Sequence, residues 1–282
     1  MQSLKILVVG VTGLLGHELY KYLYKNNINC IGTMRSSFDD FSNFGIFHKE
    51  NVREHIDLHD LSLIESVIAS EKPTHVVNCS GVTNHMNKSF DEMVFVNSFI
   101  PCFINKICHQ NGSRYIQIST DCVFSGRLGH YSESDTPDAT DLYGKSKALG
   151  ETSDYESLII RTSFIGREIF TKRGLLEWFL SQVGDICGYC NVFWSGLSSL
   201  ELSRIILEMI KKDINGVYHV GGDKIDKYSL LCLFKKIFNK NVEIEPCYLP
   251  KSDKSLNIEK FKKLGMSCRS LPEMVEEIKN EH

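Results

Sequence analysis

The chain has 282 residues, 42% of them hydrophobic and 24% charged, which is ordinary globular material long enough for one large domain or two modest ones. A formal net charge of -3 gives no electrostatic reason to expect nucleic acid or an anionic membrane as partner, and no run approaches the roughly 18 uninterrupted apolar residues that span a bilayer. The opening MQSLKILVVG carries an apolar run too short for a signal peptide, so a cytoplasmic location is expected.

In chain order, residues 4–10 (LKILVVG) form a continuous apolar run of strand length, and 14–26 place Leu15, Leu19, Tyr22 and Leu23 at helical spacing. Between them GVTGLLG sets Gly10, Gly13 and Gly16 in a strand, turn and helix. Such a turn is tight, lets the backbone approach a pyrophosphate, and aims helix N-terminal amides at its charge. Gly10, Thr12, Gly13, Leu14, Leu15 and Gly16 are therefore read as a dinucleotide-binding turn, against the alternative of glycines serving only the bend. The strand at 29–34 runs into GTMRSS, with Arg35 and Ser36 where an NAD site usually carries a carboxylate for the ribose 2'-hydroxyl. An arginine suits a 2'-phosphate, so NADP(H) is favoured and NAD(H) is the alternative; Arg35 as a plain surface residue is the other reading.

A helix at 61–73 ended by proline, a strand at 74–81, a helix at 93–112 with Gly112 near its end, a strand at 114–120, a helix at 143–154 and a strand at 157–163 follow. Strands alternating with helices imply parallel pairing through right-handed crossovers, hence an α/β doubly wound sheet covered on both faces. Of the ten cysteines, Cys30, Cys79, Cys102, Cys108, Cys122, Cys232, Cys247 and Cys268 make no paired-knuckle pattern. Cys187 and Cys190 form a lone C-x-x-C without a second pair, so no metal site is read and the thiols are expected to be reduced, mostly buried small hydrophobes.

The segment DLYGKSKALGE (141–151) puts Tyr143 four residues ahead of Lys147, neighbours on one helix face. Alone, a phenol titrates near 10 and an ammonium near 10.4 (both approximate), too high for acid–base work at neutral pH. Together, the ammonium favours the phenolate and is expected to lower the tyrosine pKa. A solvated helix start is the plain alternative for these five residues taken by themselves.

GVTGLLG, the STD of Ser119, Thr120 and Asp121, and YGKSK together resemble an extended short-chain dehydrogenase/reductase. ISTDCVFSG (118–126), DLYGKSKALGE, IIRTSFIG (159–166) and the late LPKSDKSLNIEKFKKLG are similar to the dTDP-4-dehydrorhamnose reductase group of nucleotide-sugar reductases, over most of the chain. The resemblance implies a Rossmann domain at 1–160 and a mainly substrate-binding, smaller C-terminal lid at 161–282, with 216–222 returning to the main sheet. It implies that Tyr143 donates a proton to the sugar C4 oxygen, that Lys147 lowers its pKa and binds the nicotinamide ribose, and that Thr120 hydrogen-bonds the carbonyl. Ser119 is the second hydroxyl candidate; Asp121 shapes the site or serves a strand-end turn.

Further positions match less distinctively. Asp57 and Leu58 correspond to an adenine-contacting segment, with a helix-capping role for Asp57 equally open. Ser80 and Gly81 follow the fourth strand, where relatives pass backbone close to the cofactor. Thr83 and Asn84 would face substrate, although NCSGVTNHM departs from the group's alanine-rich turn. Asn97 matches a retained asparagine, with a helix-interior hydrogen bond as the plainer account. In the lid, a helix is expected at 171–184 with Leu175, Leu176, Trp178 and Phe179 in the core. Trp194 and Ser195 are candidates for base or sugar contact, and Arg161, Arg167, Lys172 and Arg173 are candidates for a diphosphate or plain surface. The implied activity is NADPH-dependent reduction of a 4-keto-6-deoxy nucleotide sugar in surface-polysaccharide sugar biosynthesis, with a homodimer as the assembly to consider. The alternatives are an epimerase or dehydratase retaining its NAD(P), and a non-catalytic NADP-binding regulatory subunit.

Overall fold

The computed structural model describes residues 3–86, 88–151 and 155–281. The first half builds β1 (Lys5–Val9), α1 (Leu14–Lys25), β2 (Asn29–Thr33), β3 (Val52–Arg53), α2 (Leu61–Glu71), β4 (His75–Asn78), α3 (Phe90–Val94), α4 (Ile100–Gln110), β5 (Arg114–Ile118), α5 (Leu142–Leu149) and β6 (Ser157–Arg161). Then come β7 (Phe164–Ile165), α6 (Leu175–Ser181), β8 (Gly184–Tyr189), β9 (Val192–Trp194), β10 (Leu197–Ser198), α7 (Ser199–Lys211) and β11 (Gly216–His219). The chain finishes with β12 (Ile225–Asp226), α8 (Lys227–Phe238), β13 (Val242–Cys247), β14 (Ser252–Asp253), α9 (Glu259–Lys262) and α10 (Leu271–Asn280).

Seven strands form one sheet in the order β11-β6-β5-β4-β1-β2-β3, and each neighbouring pair is parallel. The order reverses at β1, where the chain departs to β2 on one side and later returns to β4 on the other. That reversal opens a crevice beyond the carboxyl ends of the strands. β1 shows why the sheet needs two covers: Ile6 and Val8 pack into one core cluster, Leu7 and Val9 into the other. α1 and α7 close the first face with Leu15, Leu19, Leu202, Ile205 and Ile206, and α2 and α4 close the second with Ile64, Ile68, Ile100 and Ile104. Each fully buried aliphatic side chain stabilises by about 1.5–3 kcal/mol relative to exposure.

A third core, in the C-terminal part, packs Leu176, Phe179 and Trp194 against Leu230, Phe234 and Ile278. It is surrounded by short sheets, β12-β9-β14 and the parallel pair β13-β8. β11 leaves this region to pair with β6 in the seven-stranded sheet.

Several expectations need correcting. The helix expected at 93–112 begins at Phe90 under a Ser89 cap and contains a π-helical turn, Phe95–Phe99, before α4. The helix expected at 171–184 covers only Leu175–Ser181, because the Glu168 carboxylate accepts the Arg173 and Gly174 N–H groups and holds the preceding residues in a loop. Trp178 on that helix is exposed rather than in the core. The helix expected at 143–154 ends at Leu149, and 152–154 lie outside the described residues. Cys187 and Cys247 form a disulfide across β8 and β13, with Cα atoms 5.9 Å apart. Parallel pairing brings together residues 60 apart in sequence, which spacing cannot reveal. Of the free thiols only Cys30 and Cys108 are buried; the other six are half-buried.

Candidate functional site

The turns after β1, β4 and β5 meet at the carboxyl edge of the sheet, with α5 laid across them. Gly10 has φ +80, open to glycine without strain. Its backbone sits so close to the next loop that a Cβ there would lie 3.3 Å from the Ser80 Cα. On Gly16 a Cβ would collide with the Gly10 carbonyl, so this glycine lets α1 pack onto the turn. Gly13 is the N-cap of α1 and supplies no side chain to cap it. The first-turn N–H groups of Leu14, Leu15 and Gly16 therefore have no intrahelical acceptor and face outward as donors. Leu15 is buried in the core, so backbone is what it can offer a ligand, whereas Thr12 and Leu14 are half-buried. A turn without side chains at its crowded points, with free amides at a helix start, fits a pyrophosphate.

Beyond β2, Arg35 is exposed and Ser36 half-buried. Arg35 adds to the groups that hold the nearby Asp57 carboxylate below its usual range, chiefly the His59 backbone N–H and ring. Asp57 does not cap the following helix: Asp60 does, accepting Ser62 N–H at 3.1 Å. Leu58 packs beneath it at the edge of the second core.

The loop after β4 is clamped from both ends. Asn78, fully buried, accepts the Ser80 N–H at 3.0 Å and hydroxyl at 2.6 Å. Asn97 accepts the Val82 N–H at 2.9 Å, donates to the Val82 carbonyl at 2.8 Å and donates to the Ser146 hydroxyl of α5 at 3.0 Å. These bonds run between elements, which corrects the helix-interior account of Asn97; the π turn that carries it aims the amide at both partners. Gly81 passes over α5, where a Cβ would be 3.9 Å from the Lys147 Nζ. Asn84 donates to Asp141, 3.4 Å away, and Asp141 caps α5 at the Gly144 N–H. Thr83 is half-buried in the same loop; Asn87 lies outside the described residues.

Thr120, Tyr143 and Lys147 come together here. The Thr120 hydroxyl lies near enough to the Tyr143 phenol to oppose the rise in its pKa. The Thr120 hydroxyl also donates to Asp121 at 3.2 Å and accepts the Cys122 N–H at 3.1 Å, which fixes its rotamer. Lys147 is buried and donates to the Ile118 carbonyl at 2.7 Å. Burial lowers its pKa to about 8, against the opposing pull of Glu151 and Cys79. The expected lowering of the tyrosine is not found: crowding by the protein raises the Tyr143 pKa, Cys122 adds to the rise, and the Thr120 hydroxyl opposes it. The lysine is turned toward a backbone carbonyl, so its charge does not offset the loss of solvent around the phenol. Asp121 is buried and its pKa raised by desolvation, with Lys254 and Lys227 opposing.

Other candidates have different duties. Ser119 donates to Glu151 at 2.5 Å, leaving Thr120 as the hydroxyl next to Tyr143. Arg161 is buried in a salt bridge to Glu151 at 2.8 Å and lies over the Phe124 ring. Arg167 pairs with Glu177 at 2.9 Å, and Lys172 and Arg173 are exposed. Trp194 is a core residue of the C-terminal part whose indole N–H donates to Ser163 at 2.8 Å. Ser195 is buried and accepts the Leu256 N–H. The sequence reading missed Lys227 and Lys254, whose charges reach Asp121; isolated lysines in polar segments carry no spacing signal. Among the described residues no group of three or more His, Cys, Asp or Glu could hold a metal ion, and no helix is long and apolar enough to cross a membrane.

The chain is similar to known proteins over most of its length. Residues 4–184 match the family described as RmlD substrate binding domain. Methionine adenosyltransferase 2 subunit beta of Danio rerio is 33% identical over 250 residues, covering 83% of this chain and 74% of its own. The dTDP-4-dehydrorhamnose reductase of Aggregatibacter actinomycetemcomitans is 28% identical over 233 residues, 78% of this chain and 74% of its own. Among solved structures, a hypothetical dTDP-4-dehydrorhamnose reductase from Sulfolobus tokodaii superposes with a TM-score of 0.79 at 26% identity, covering 94% of this chain and 96% of that one.

Proposed function

We propose that this chain, which belongs to the RmlD substrate binding domain family, is an NADPH-dependent reductase of a 4-keto-6-deoxy nucleotide sugar. The observation that carries the reading is the approach of Thr120 to Tyr143, with Lys147 one helical turn along, beside a glycine turn suited to a dinucleotide. Residues Gly10 to Gly16 would hold the pyrophosphate through backbone N–H groups, Arg35 and Ser36 a 2'-phosphate, Asp57 and Leu58 the adenine side, and Ser80, Gly81 and Lys147 the nicotinamide half. A bound NADPH supplies the hydride.

The chain's own residues do the rest. Thr120 turns its single O–H from Asp121 to the carbonyl oxygen when substrate binds and stabilises charge as it develops. Tyr143 keeps its proton through neutral pH because its pKa is raised, and passes it to the same oxygen. Lys147, whose Nζ lies beneath Gly81, would hold the nicotinamide ribose of the bound cofactor rather than act on the phenol directly. Thr83, Asn84 and Asp121 line the approach for the sugar, and the C-terminal part serves as its lid.

A second reading, a cofactor-binding subunit without turnover, is prompted by the likeness to methionine adenosyltransferase 2 subunit beta. The purified chain should oxidise NADPH, followed by its absorbance, with one member of a panel of 4-keto-6-deoxy sugars on dTDP, UDP or GDP. Confirmed NADPH binding with no turnover on any of them would replace the reductase by the subunit.

A further inference from the structure

A single imidazole ties the segment after β3 to the helix after β4. His59 Nδ1 lies 2.9 Å from the Asp57 Oδ1, and its Nε2 lies 2.8 Å from the Glu92 Oε2 in α3. The ring also stacks on Phe95, with centroids 4.9 Å apart and planes 16° from parallel. Backbone bonds hold both acids in place: the His59 N–H donates to the same Asp57 oxygen at 3.0 Å, and the Ser89 hydroxyl accepts the Glu92 N–H at 3.4 Å. Both His59 bonds fall on Oδ1, which spares the Asp57 Oδ2 for a ligand.

A neutral imidazole has one N–H donor and one bare nitrogen, and a carboxylate can only accept. The neutral ring therefore satisfies one of these acids and turns a lone pair on the other. Only the imidazolium, with two N–H groups, makes both contacts at once. The same two bonds raise the His59 pKa, Asp57 first and Glu92 next. Two cations face these acids as well: Arg35 acts on Asp57 from the end of β2, and Lys88 stands 3.9 Å from the Glu92 Oε1. The π turn Phe95–Phe99, on which the ring stacks, carries Asn97, the clamp on the loop after β4 through Val82 and on α5 through Ser146. The charged ring thus joins the adenine-side segment to the element that sets the nicotinamide-side loop.

We propose that His59 is a proton-dependent positioning residue for the dinucleotide: as an imidazolium it docks Asp57 onto α3 and the π turn, and its deprotonation frees that segment and weakens the cofactor. The inference rests on the dinucleotide reading above and adds to it a group that acts through Asp57. Binding and protonation are then linked. A cofactor that prefers the docked segment is held more tightly while His59 is charged, loses affinity as pH rises through the His59 midpoint, and reciprocally raises that midpoint when bound.

The test pairs NMR with calorimetry on the full-length chain between about pH 5.5 and 9, a range that brackets an imidazole. The His59 ring signal is the one missing from His59→Gln, and affinity for NADP and for NAD is measured in the native chain, in that variant and in Glu92→Gln. The His59 midpoint should lie above the ordinary value of about 6.5, fall in Glu92→Gln, and rise in the native chain when the cofactor binds. Cofactor affinity should fall about 2- to 5-fold more in the native chain than in His59→Gln as pH passes the midpoint, the scale of a half-exposed pair. Comparing the two chains cancels the titration of Lys147, which both share. A midpoint at or below about 6.5 overturns the imidazolium bridge. A raised midpoint with identical affinity profiles in native chain and His59→Gln overturns the positioning role and leaves the dinucleotide reading in place. Binding of neither cofactor at any pH removes the dinucleotide reading and this inference with it.

Discussion

Two basic environments border the same cleft, and they are built in opposite ways. On the β6 side Arg161 bonds both oxygens of Glu151, which also takes the Ser119 hydroxyl, and the guanidinium lies over Phe124. On the α8 side Lys227 stands over the Trp194 ring and acts on Asp121 only through space, as Lys254 does on both Asp121 and Asp141. A cation already matched by a carboxylate holds strands together; a cation left over at a cleft is available to a ligand. Sequence alone presents both kinds as basic residues near the site, and only their partners separate them.

The sharpest test of this contrast is Arg161→Ala. It leaves Glu151, whose side chain is 5% exposed, without its counter-ion and should cost about 3–5 kcal/mol in chemical denaturation. A loss below about 1 kcal/mol, the level of a surface pair, would erase the distinction. Next, Tyr143→Phe removes only a hydroxyl from the reacting side and should lower turnover about 10²- to 10⁴-fold with little change in stability or NADPH affinity. Unchanged turnover would end its role as proton donor.

The buried lysines offer a third test through pH. Unfolded, Lys147 holds its proton to about 10.5, whereas in the folded chain it releases it near 8. Between those values the unfolded chain binds more protons, so stability should rise with pH through the window, by at most about 1.4 kcal/mol per unit for this group. Below pH 8 its contribution is a constant penalty. Lys147→Met should flatten the rise in denaturation midpoints measured from pH 8 to 10; an unaltered slope would show that the lysine is not desolvated as described. The smallest effect is expected at the exposed rim, where Arg35→Ala should weaken NADPH about 10-fold more than NADH. Equal weakening would remove the basis for preferring NADP(H).

The sheet was legible because its strands are unbroken apolar runs and its helices keep a 3.6-residue period, as at Leu15, Leu19 and Leu23. The glycine turn and the Tyr143–Lys147 spacing were legible for the same reason: both are local. What escaped was set by distant contacts. Asn97 is bonded across elements, Trp194 is claimed by a core assembled from α6, α8 and α10, and Cys187 meets Cys247 through a strand pairing that leaves no mark on cysteine spacing. The Tyr143 pKa went the other way because an i,i+4 spacing fixes where the Lys147 backbone lies and not where its ammonium points.

The return of β11 to the sheet edge imposes a timetable on synthesis. The ribosome delivers β1 to β6 first, then the whole stretch from Thr162 to Asn215, and only then the seventh strand. At about 5–20 residues per second, this leaves several seconds in which the face bearing Ile6, Val8 and Val77 waits for α7 to bring Leu202, Ile205 and Ile206 over it. A nascent chain stalled in that interval displays a flat apolar surface beside an open parallel edge, the form most prone to capture by a chaperone or by another copy of itself.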